Sequence, residues 1–184
     1  GAIPGYGALP LTGVGLTYPL IALITAFANL CGMGGAPLMS IARGEGRNEH
    51  AERILGTAAA LLLGLSAVLL VLGYLYMEPL LWMFGASEST IGYATDYFSI
   101  YLVGTPFVLL TLGLNPFVTS QGFARTGMMT ILIGAVANIL LDPLFIFVFN
   151  MGVRGAAIAT VISQFLCVPW LLSFLHGKRA IIRL

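Results

Sequence analysis

The charged residues of this chain fall in short clusters, and long stretches between the clusters carry no charge at all. No Asp, Glu, Lys or Arg occurs from Gly1 to Ala42, and similar runs follow later. A helix needs about 20 apolar residues to cross the hydrocarbon core of a bilayer. The chain is also 59% hydrophobic and only 8% charged, more apolar than a soluble domain of this length. The pattern therefore predicts an integral membrane protein.

Five of the apolar stretches are long enough to span a membrane. They cover about residues 14–40, 54–77, 97–120, 127–149 and 155–175. These runs are too long, and alternate too little, for barrel strands, whereas helices satisfy their own backbone hydrogen bonds in lipid. We therefore predict an all-α integral membrane protein with five transmembrane helices, forming one unit over residues 1–184.

The basic residues predict the orientation of these spans. Most of them fall in the first loop, the third loop and the tail, where they are Arg43, Arg47, Arg53, Arg125, Lys178, Arg179 and Arg183. Only Arg154 falls on the other side. Because cytoplasmic loops carry an excess of Lys and Arg, we expect a plasma or inner membrane protein with Leu184 in the cytoplasm and Gly1 outside. An outside amino terminus needs a preceding span, so we expect a helix before Gly1.

Asp142 is the one charged residue within a predicted span. A carboxylate at the centre of a bilayer costs about 2.5 to 3.5 kcal/mol on insertion scales, so it needs a partner. Asn138 lies one turn earlier on the same face, and Pro143 has no N–H to bond the carbonyl of Ile139. Such a set of oxygen atoms resembles a cation site. The alternative is that Asp142 and Pro143 end a short helix before a re-entrant turn, but the apolar run 144–149 favours a kinked helix that continues.

Depth in the membrane relates further polar residues to Asp142. At about 1.5 Å per residue, Asp142 lies roughly 9 Å below the outer edge of a roughly 30 Å core. Thr160, a little more than one turn into the fifth span, lies at a similar depth. Tyr97 opens the third span from outside, and its hydroxyl can reach down to the same level. Asn115 lies closer to the cytoplasm and is expected to line a cavity.

Other features exclude several kinds of chemistry. The glycines in the loop 43–47 are not followed by Lys-Ser or Lys-Thr, so the chain lacks a phosphate-binding loop for ATP. Cys31 and Cys167 lie in separate spans and are predicted to be small packing residues. We expect no cofactor, no catalytic residue and no nucleic-acid partner.

Small residues at intervals of four predict where helices pack closely in lipid. One such ridge, in the second predicted span, consists of Gly56, Ala60 and Gly64. Another, in the fifth, consists of Gly155, Ala159, Ser163 and Cys167. We expect both ridges to contact neighbouring helices in a tight bundle.

Several segments resemble multidrug and toxic compound extrusion (MATE) transporters. The glycine-rich run 32–36, the loop 41–47 and the start of the next helix at 51–56 resemble that family's junction between helices two and three. Residues 138–146 are similar to its fifth helix, and 152–160 to the turn into its sixth. The resemblance implies twelve helices in two six-helix lobes around a central cavity. The chain would supply helices two to six of the amino-terminal lobe, without helix one and the second lobe.

The resemblance also implies a function and its residues. Such transporters export organic cations, drugs or metabolites across the lipid bilayer by antiport of Na⁺ or H⁺. The coupling roles would fall on Asp142, Asn138 and Thr160, which would be the ligands of a Na⁺ ion, together with Tyr97. Polar positions of the substrate cavity would be Asn115 and Thr111. A second carboxylate that the family carries on helix one has no counterpart in this chain.

Two other functions are compatible with a polytopic membrane protein. A flippase for lipid-linked oligosaccharides, from the same superfamily, is expected to line its cavity with basic residues. A membrane-embedded enzyme needs a second deep catalytic group such as His or Glu. The five predicted spans contain neither an internal Lys or Arg nor such a group, which favours a transporter.

Overall fold

The computed structural model describes residues 7–184, and within them it contains helices and turns but no strands. The elements are α1 Ala8–Gly15, α2 Tyr18–Gly44, α3 Asn48–Met83, α4 Ile91–Val103, α5 Thr105–Ser120, α6 Ala124–Pro143, a π-helical segment Leu144–Val148, and α7 Gly152–His176. The predicted all-α fold is thus confirmed. The expected position of Gly1 lies outside the described residues.

The long helices have the dimensions of membrane spans. Four helical stretches are long and apolar enough to cross a bilayer, namely Ala8–Gly44, α3, Ala124–Val148 and α7. The pair α4 and α5 gives a fifth if it is counted as one span, although the two helices are bent by 59° at Gly104. At 1.5 Å per residue, the 36 residues of α3 extend over roughly 54 Å, so this helix projects well beyond a bilayer core of about 30 Å.

Two glycines allow the chain to reverse direction at the ends of long helices. Gly46, after α2, has a φ of 75°, and Gly85, after α3, has a φ of 99°. Side chains disfavour this left-handed conformation, which glycine adopts without strain. The residue after each glycine donates its N–H to a carbonyl in the last turn of the helix. Arg47 donates to Ala42 at 2.9 Å, and Ala86 donates to Leu81 at 3.0 Å. The last carbonyls of both helices are thereby satisfied.

Polar contacts gather the loops at the two ends of the bundle. At one end, an Arg43 guanidinium nitrogen donates to the carbonyl of Gln121 at 3.3 Å, and the Gln121 amide donates to the carbonyl of Ile182 at 3.0 Å. The first loop, the third loop and the tail therefore meet. At the other end, Arg154 and Asp96 form an ion pair at 2.9 Å between the starts of α7 and α4. This is the grouping of loops that the distribution of basic residues predicts.

The core is built where α2, α5 and α3 approach one another closely. A Cβ added at Gly32 in α2 would lie 2.7 Å from the carbonyl oxygen of Gly113 in α5. A Cβ at Gly113 would in turn lie 2.5 Å from the side chain of Leu62 in α3. Leu62 and Phe117 have no exposed surface. Small residues let these backbones come together and gain dispersion energy in lipid.

The predicted ridge in α7 packs as expected. A Cβ at Gly155 would lie 2.7 Å from the carbonyl oxygen of Phe145 in the π-helical segment. Ala159, Ser163 and Cys167 are buried, and the Cys167 thiol lies 3.3 Å from the carbonyl of Thr130 in α6.

The predicted ridge in α3 meets no neighbouring helix among residues 7–184. A Cβ at Gly56 or Gly64 would meet nothing within 4 Å among the described residues, and Ala60 is exposed. The face of α3 that packs against the bundle instead carries Leu55 and Leu62. Spacing by four identifies residues on one face of a helix, but it does not determine which face meets a neighbour.

Candidate functional site

The helices α6 and α7 bring two of the predicted site residues into contact. The side-chain amide of Asn138, in α6, donates to the hydroxyl oxygen of Thr160, in α7, across 3.4 Å. Both side chains are half-buried. The agreement in depth inferred from the sequence thus corresponds to a direct contact between the two helices.

Thr160 is held so that its oxygen faces its neighbours as an acceptor. Its hydroxyl donates its only proton to the carbonyl of Ala156, one turn earlier in α7, at 3.0 Å. Tyr97 of α4, which is only 8% exposed, lies beside Thr160. Side chains from three helices, α4, α6 and α7, therefore come together around Thr160.

Asp142 follows Asn138 by one turn at the end of α6. Its Oδ1 atom is buried and has no hydrogen-bond partner among the described residues. A buried polar atom without a partner is costly, and most such atoms in folded proteins are paired. The position of Asp142 therefore provides an acceptor for a proton or a cation.

The chain beyond Asp142 stays helical but changes its pitch. Pro143 has no N–H, and the π-helical segment Leu144–Val148 follows it directly. The N–H of Phe149 donates to the carbonyl of Leu144 at 3.0 Å, which is the five-residue spacing of a π-helix. Ala124–Val148 is thus one helical stretch rather than a short helix with a re-entrant turn. π-Helical turns occur frequently at functional sites.

A cavity of about 340 Å³, lined by both polar and apolar side chains, lies between α5, α6 and α7, next to the contact between Asn138 and Thr160. Both of these residues line it, and so does Thr111 from α5. Thr111 is 6% exposed, and its hydroxyl oxygen is buried without a hydrogen-bond partner in residues 7–184. The structure thereby brings the predicted cavity residue Thr111 together with two of the predicted coupling residues.

Gln164 is a residue of this cavity that the sequence interpretation missed. Its Oε1 atom is buried without a hydrogen-bond partner among the described residues. It follows Thr160 by four positions and so lies on the same face of α7. An amide within an uncharged apolar stretch, one turn from a candidate ligand, is the sequence signal that could have identified it.

The remaining predicted residues lie outside this cavity. Asn115 packs against the first turns of α6, where a Cβ at Gly127 would lie 3.1 Å from its Oδ1 atom. Asp142 and Tyr97 are not among the residues that line the cavity. Asp142 and Tyr97 are related to it through Asn138 and Thr160, whereas the role of Asn115 stays a prediction.

A comparison with known protein families identifies the family of this chain. A family model described as MatE matches residues 2–144. The chain belongs to the MatE family. This match confirms the resemblance to MATE transporters that the segments around Gly32 and Asp142 indicate.

Individual relatives are membrane transporters. The chain is 32% identical over 161 residues to a FAD transporter of Shewanella oneidensis, covering 85% of this chain and 36% of that protein. It is 32% identical over 156 residues to the multidrug export protein MepA of Staphylococcus haemolyticus, covering 84% of this chain and 34% of the relative. A solved structure described as the MATE transporter ClbM in complex with Rb⁺ is 36% identical, with a TM-score of 0.82, covering 91% of this chain and 39% of that one.

The chain spans about a third of the length of these curated relatives. It is a multi-pass membrane protein of a transporter family, and the prediction that it is not an enzyme is confirmed by the family.

Proposed function

We propose that this chain is part of a secondary active efflux transporter that exports organic cations, drugs or metabolites in exchange for Na⁺ or H⁺. The family match and a relative described as a multidrug export protein support export. The cavity beside Asn138 is lined by uncharged residues, both polar (Thr, Asn, Ser, Gln) and apolar (Leu, Ile, Ala, Cys), and its lining includes no Lys or Arg. A flippase for phosphate-bearing lipids would require such cations, so small-molecule efflux fits the cavity better.

The buried, unpartnered carboxylate oxygen of Asp142 carries the proposal. Within a membrane span, an ionised carboxylate is stable only if a cation or a proton neutralises it. Protonation and cation binding therefore compete at one group. If one state of the transporter exposes Asp142 to the outside and another to the cytoplasm, ion movement at this residue is linked to export of substrate.

Neighbouring oxygens can complete a cation site. The hydroxyl of Thr160 already presents acceptor lone pairs, because its proton is committed to Ala156. Rotation of the Asn138 amide about its terminal bond would exchange the donating nitrogen for the carbonyl oxygen. With the Asp142 carboxylate these groups supply the oxygen ligands that alkali cations take in transporters. A similar structure, described as the MATE transporter ClbM in complex with Rb⁺, supports a monovalent cation as the ligand.

The rest of the transporter completes the transport path in this proposal. Helix one and a second lobe would face the cavity and supply the family's second carboxylate. The protein would reside in the plasma membrane. The basic end of its bundle, which carries Arg43, Arg125 and Leu184, would face the cytoplasm. The outer end would carry the ion pair between Arg154 and Asp96.

Transport by the full-length protein in proteoliposomes tests this function. A fluorescent organic cation such as ethidium is loaded, and either a Na⁺ gradient or a pH gradient is imposed while the membrane potential is clamped. We expect one gradient to accelerate dye movement and the collapse of that gradient to abolish the acceleration. Dye movement that is the same with and without either gradient would contradict the proposed antiport.

A further inference from the structure

A second cavity, of about 380 Å³, lies at the basic end of the bundle, far along α7 from the contact between Asn138 and Thr160. It is formed by the first turn of α6, the last turns of α7 and the tail that follows. Thr126 belongs to α6, Trp170 belongs to α7, and Lys178 and Arg179 belong to the tail. Its lining contains two basic residues and no carboxylate.

The positive charge at this cavity is not balanced within the described part of the chain. The ion pairs among residues 7–184 involve Arg47, Arg53 and Arg154 and no other basic residue. Lys178 and Arg179 therefore have no carboxylate within 4 Å. Arg125, next to Thr126 in the first turn of α6, is likewise without one. An anion from outside the chain can bind there without competing against an existing pair.

The start of α6 adds to this charge. The N-cap residue, Phe123, gives no side-chain hydrogen bond to the first turn. The first N–H groups of a helix have no partner within the helix, and the helix dipole makes this end attractive to anions. The cavity thus combines two cationic side chains with the amino-terminal end of α6, a 20-residue helix without a side-chain cap.

The tail that carries the two cations is fixed rather than loosely attached. Gln121 is 3% exposed, and its Oε1 atom accepts hydrogen bonds from the N–H groups of Ile181 and Ile182, both at 2.9 Å. Its Nε2 donates to the carbonyl of Ile182 at 3.0 Å. Ile182 has no exposed surface, and Ala180 has only 4%. These contacts pre-organise Lys178 and Arg179 beside α6 and reduce the entropy that is lost on binding.

The position of this cavity in the membrane indicates which anions lie near it. The helices α6 and α7 have the length and composition of spans, so their ends lie at the boundary between hydrocarbon and water. Trp170 is 40% exposed one and a half turns before the end of α7, as is typical of aromatic side chains at that boundary. Lipid phosphates occupy this level, and basic pockets between helix ends bind anionic headgroups.

We propose that this cavity binds the phosphodiester headgroup of an anionic phospholipid, with Lys178 and Arg179 as the charged ligands and Gln121 as the residue that positions them. The site is independent of Asp142, and its failure would leave the proposed antiport intact. The same chemistry could bind a soluble phosphate compound, so the experiment must separate a lipid from free phosphate.

Lipid binding is measured on the purified full-length protein in neutral detergent by native mass spectrometry, with phosphatidylglycerol, phosphatidylcholine or inorganic phosphate as the probe. We expect preferential binding of phosphatidylglycerol. The double variant Lys178→Gln with Arg179→Gln should bind it roughly 30-fold more weakly, which corresponds to about 1 kcal/mol for each basic residue near a membrane surface. Arg183→Gln is the matched control for Arg179→Gln, because it removes one exposed tail cation that does not line the cavity.

Thermal unfolding in phosphatidylcholine establishes that each variant is folded, and Lys178→Arg should bind phosphatidylglycerol like the unmodified chain. The proposal is overturned if the double variant keeps the preference for phosphatidylglycerol, or if Arg183→Gln loses as much affinity as Arg179→Gln. It is also overturned if millimolar inorganic phosphate displaces the lipid, since the site would then recognise a soluble phosphate.

Discussion

Replacement of Gly32 by alanine is expected to destabilise the bundle at the crossing of α2 and α5. The new Cβ would lie 2.7 Å from the carbonyl oxygen of Gly113 and 2.9 Å from the Pro116 ring. Neither neighbour is the flexible end of a long side chain, so the helices must move apart. Inserting a methyl group into a packed core costs about 1 to 3 kcal/mol.

Gly34, two positions further along α2, provides the control. A Cβ at Gly34 would meet nothing within 4 Å. Alanine there should stabilise the helix by up to about 1 kcal/mol, because glycine has the lower helix propensity. Gly32→Ala and Gly34→Ala carry the same chemical change in the same helix, so the gain in helix propensity cancels and the difference between them, about 1 to 3 kcal/mol, isolates the close approach of α5.

The assay is thermal unfolding of each purified variant in the same detergent. For a chain of this size, 1 kcal/mol shifts the midpoint by about 2 to 4 °C, so the two variants should differ by roughly 2 to 12 °C, with Gly32→Ala the lower. A Gly32→Ala midpoint equal to or above that of Gly34→Ala would show that α2 and α5 do not approach each other as closely as the structure indicates.

Three further predictions concern topology and transport. With Cys31 and Cys167 replaced, single cysteines at the exposed positions Asn48 and Ser87, near opposite ends of α3, should react with an impermeant thiol reagent from opposite sides, with Ser87 labelled from outside. Equal outside labelling of both positions would refute the five-span topology. The 184-residue chain, reconstituted alone, should show no gradient-dependent dye efflux, and efflux would mean that a second lobe is dispensable. Asn138→Leu and Thr160→Val in the full-length protein should each weaken the cation dependence of efflux without abolishing it, and an unchanged ion concentration dependence would remove that residue from the site.

The sequence predicted the helices because lipid imposes a simple rule on them. Uncharged stretches of sufficient length must be helical in lipid, and charged clusters must lie outside it. The bend between α4 and α5 was not predicted, since the apolar stretch 97–120 continues through it. At the bend, Gly104 packs directly against Val161 of α7, where a side chain would not fit: an added Cβ would lie 2.7 Å from Val161. That contact is between residues distant in sequence, which a pattern along the chain does not reveal.

The site could be predicted in part, from spacing along one helix and from depth in the membrane. Asn138 and Asp142 are neighbours on one helix, so spacing alone relates them. Thr160 was matched to them by depth, and its contact with Asn138 agrees with that estimate. Gln164 was missed, because the rotation of each helix about its axis depends on the packing of the whole bundle. Asn115 packs against Gly127, and its place in the substrate cavity stays a prediction.

Gradient-driven efflux by the full-length protein carrying Asp142→Asn tests the central proposal most directly. Asparagine keeps the volume of the side chain and removes the charge that binds a cation or releases a proton, so insertion and folding should be retained or improved. We expect the variant to reach at least the expression level and thermal midpoint of the unmodified transporter while ion-coupled efflux is lost. A well-folded Asp142→Asn variant that exports dye at the unmodified rate under the same gradient would contradict the role of Asp142 as the coupling residue.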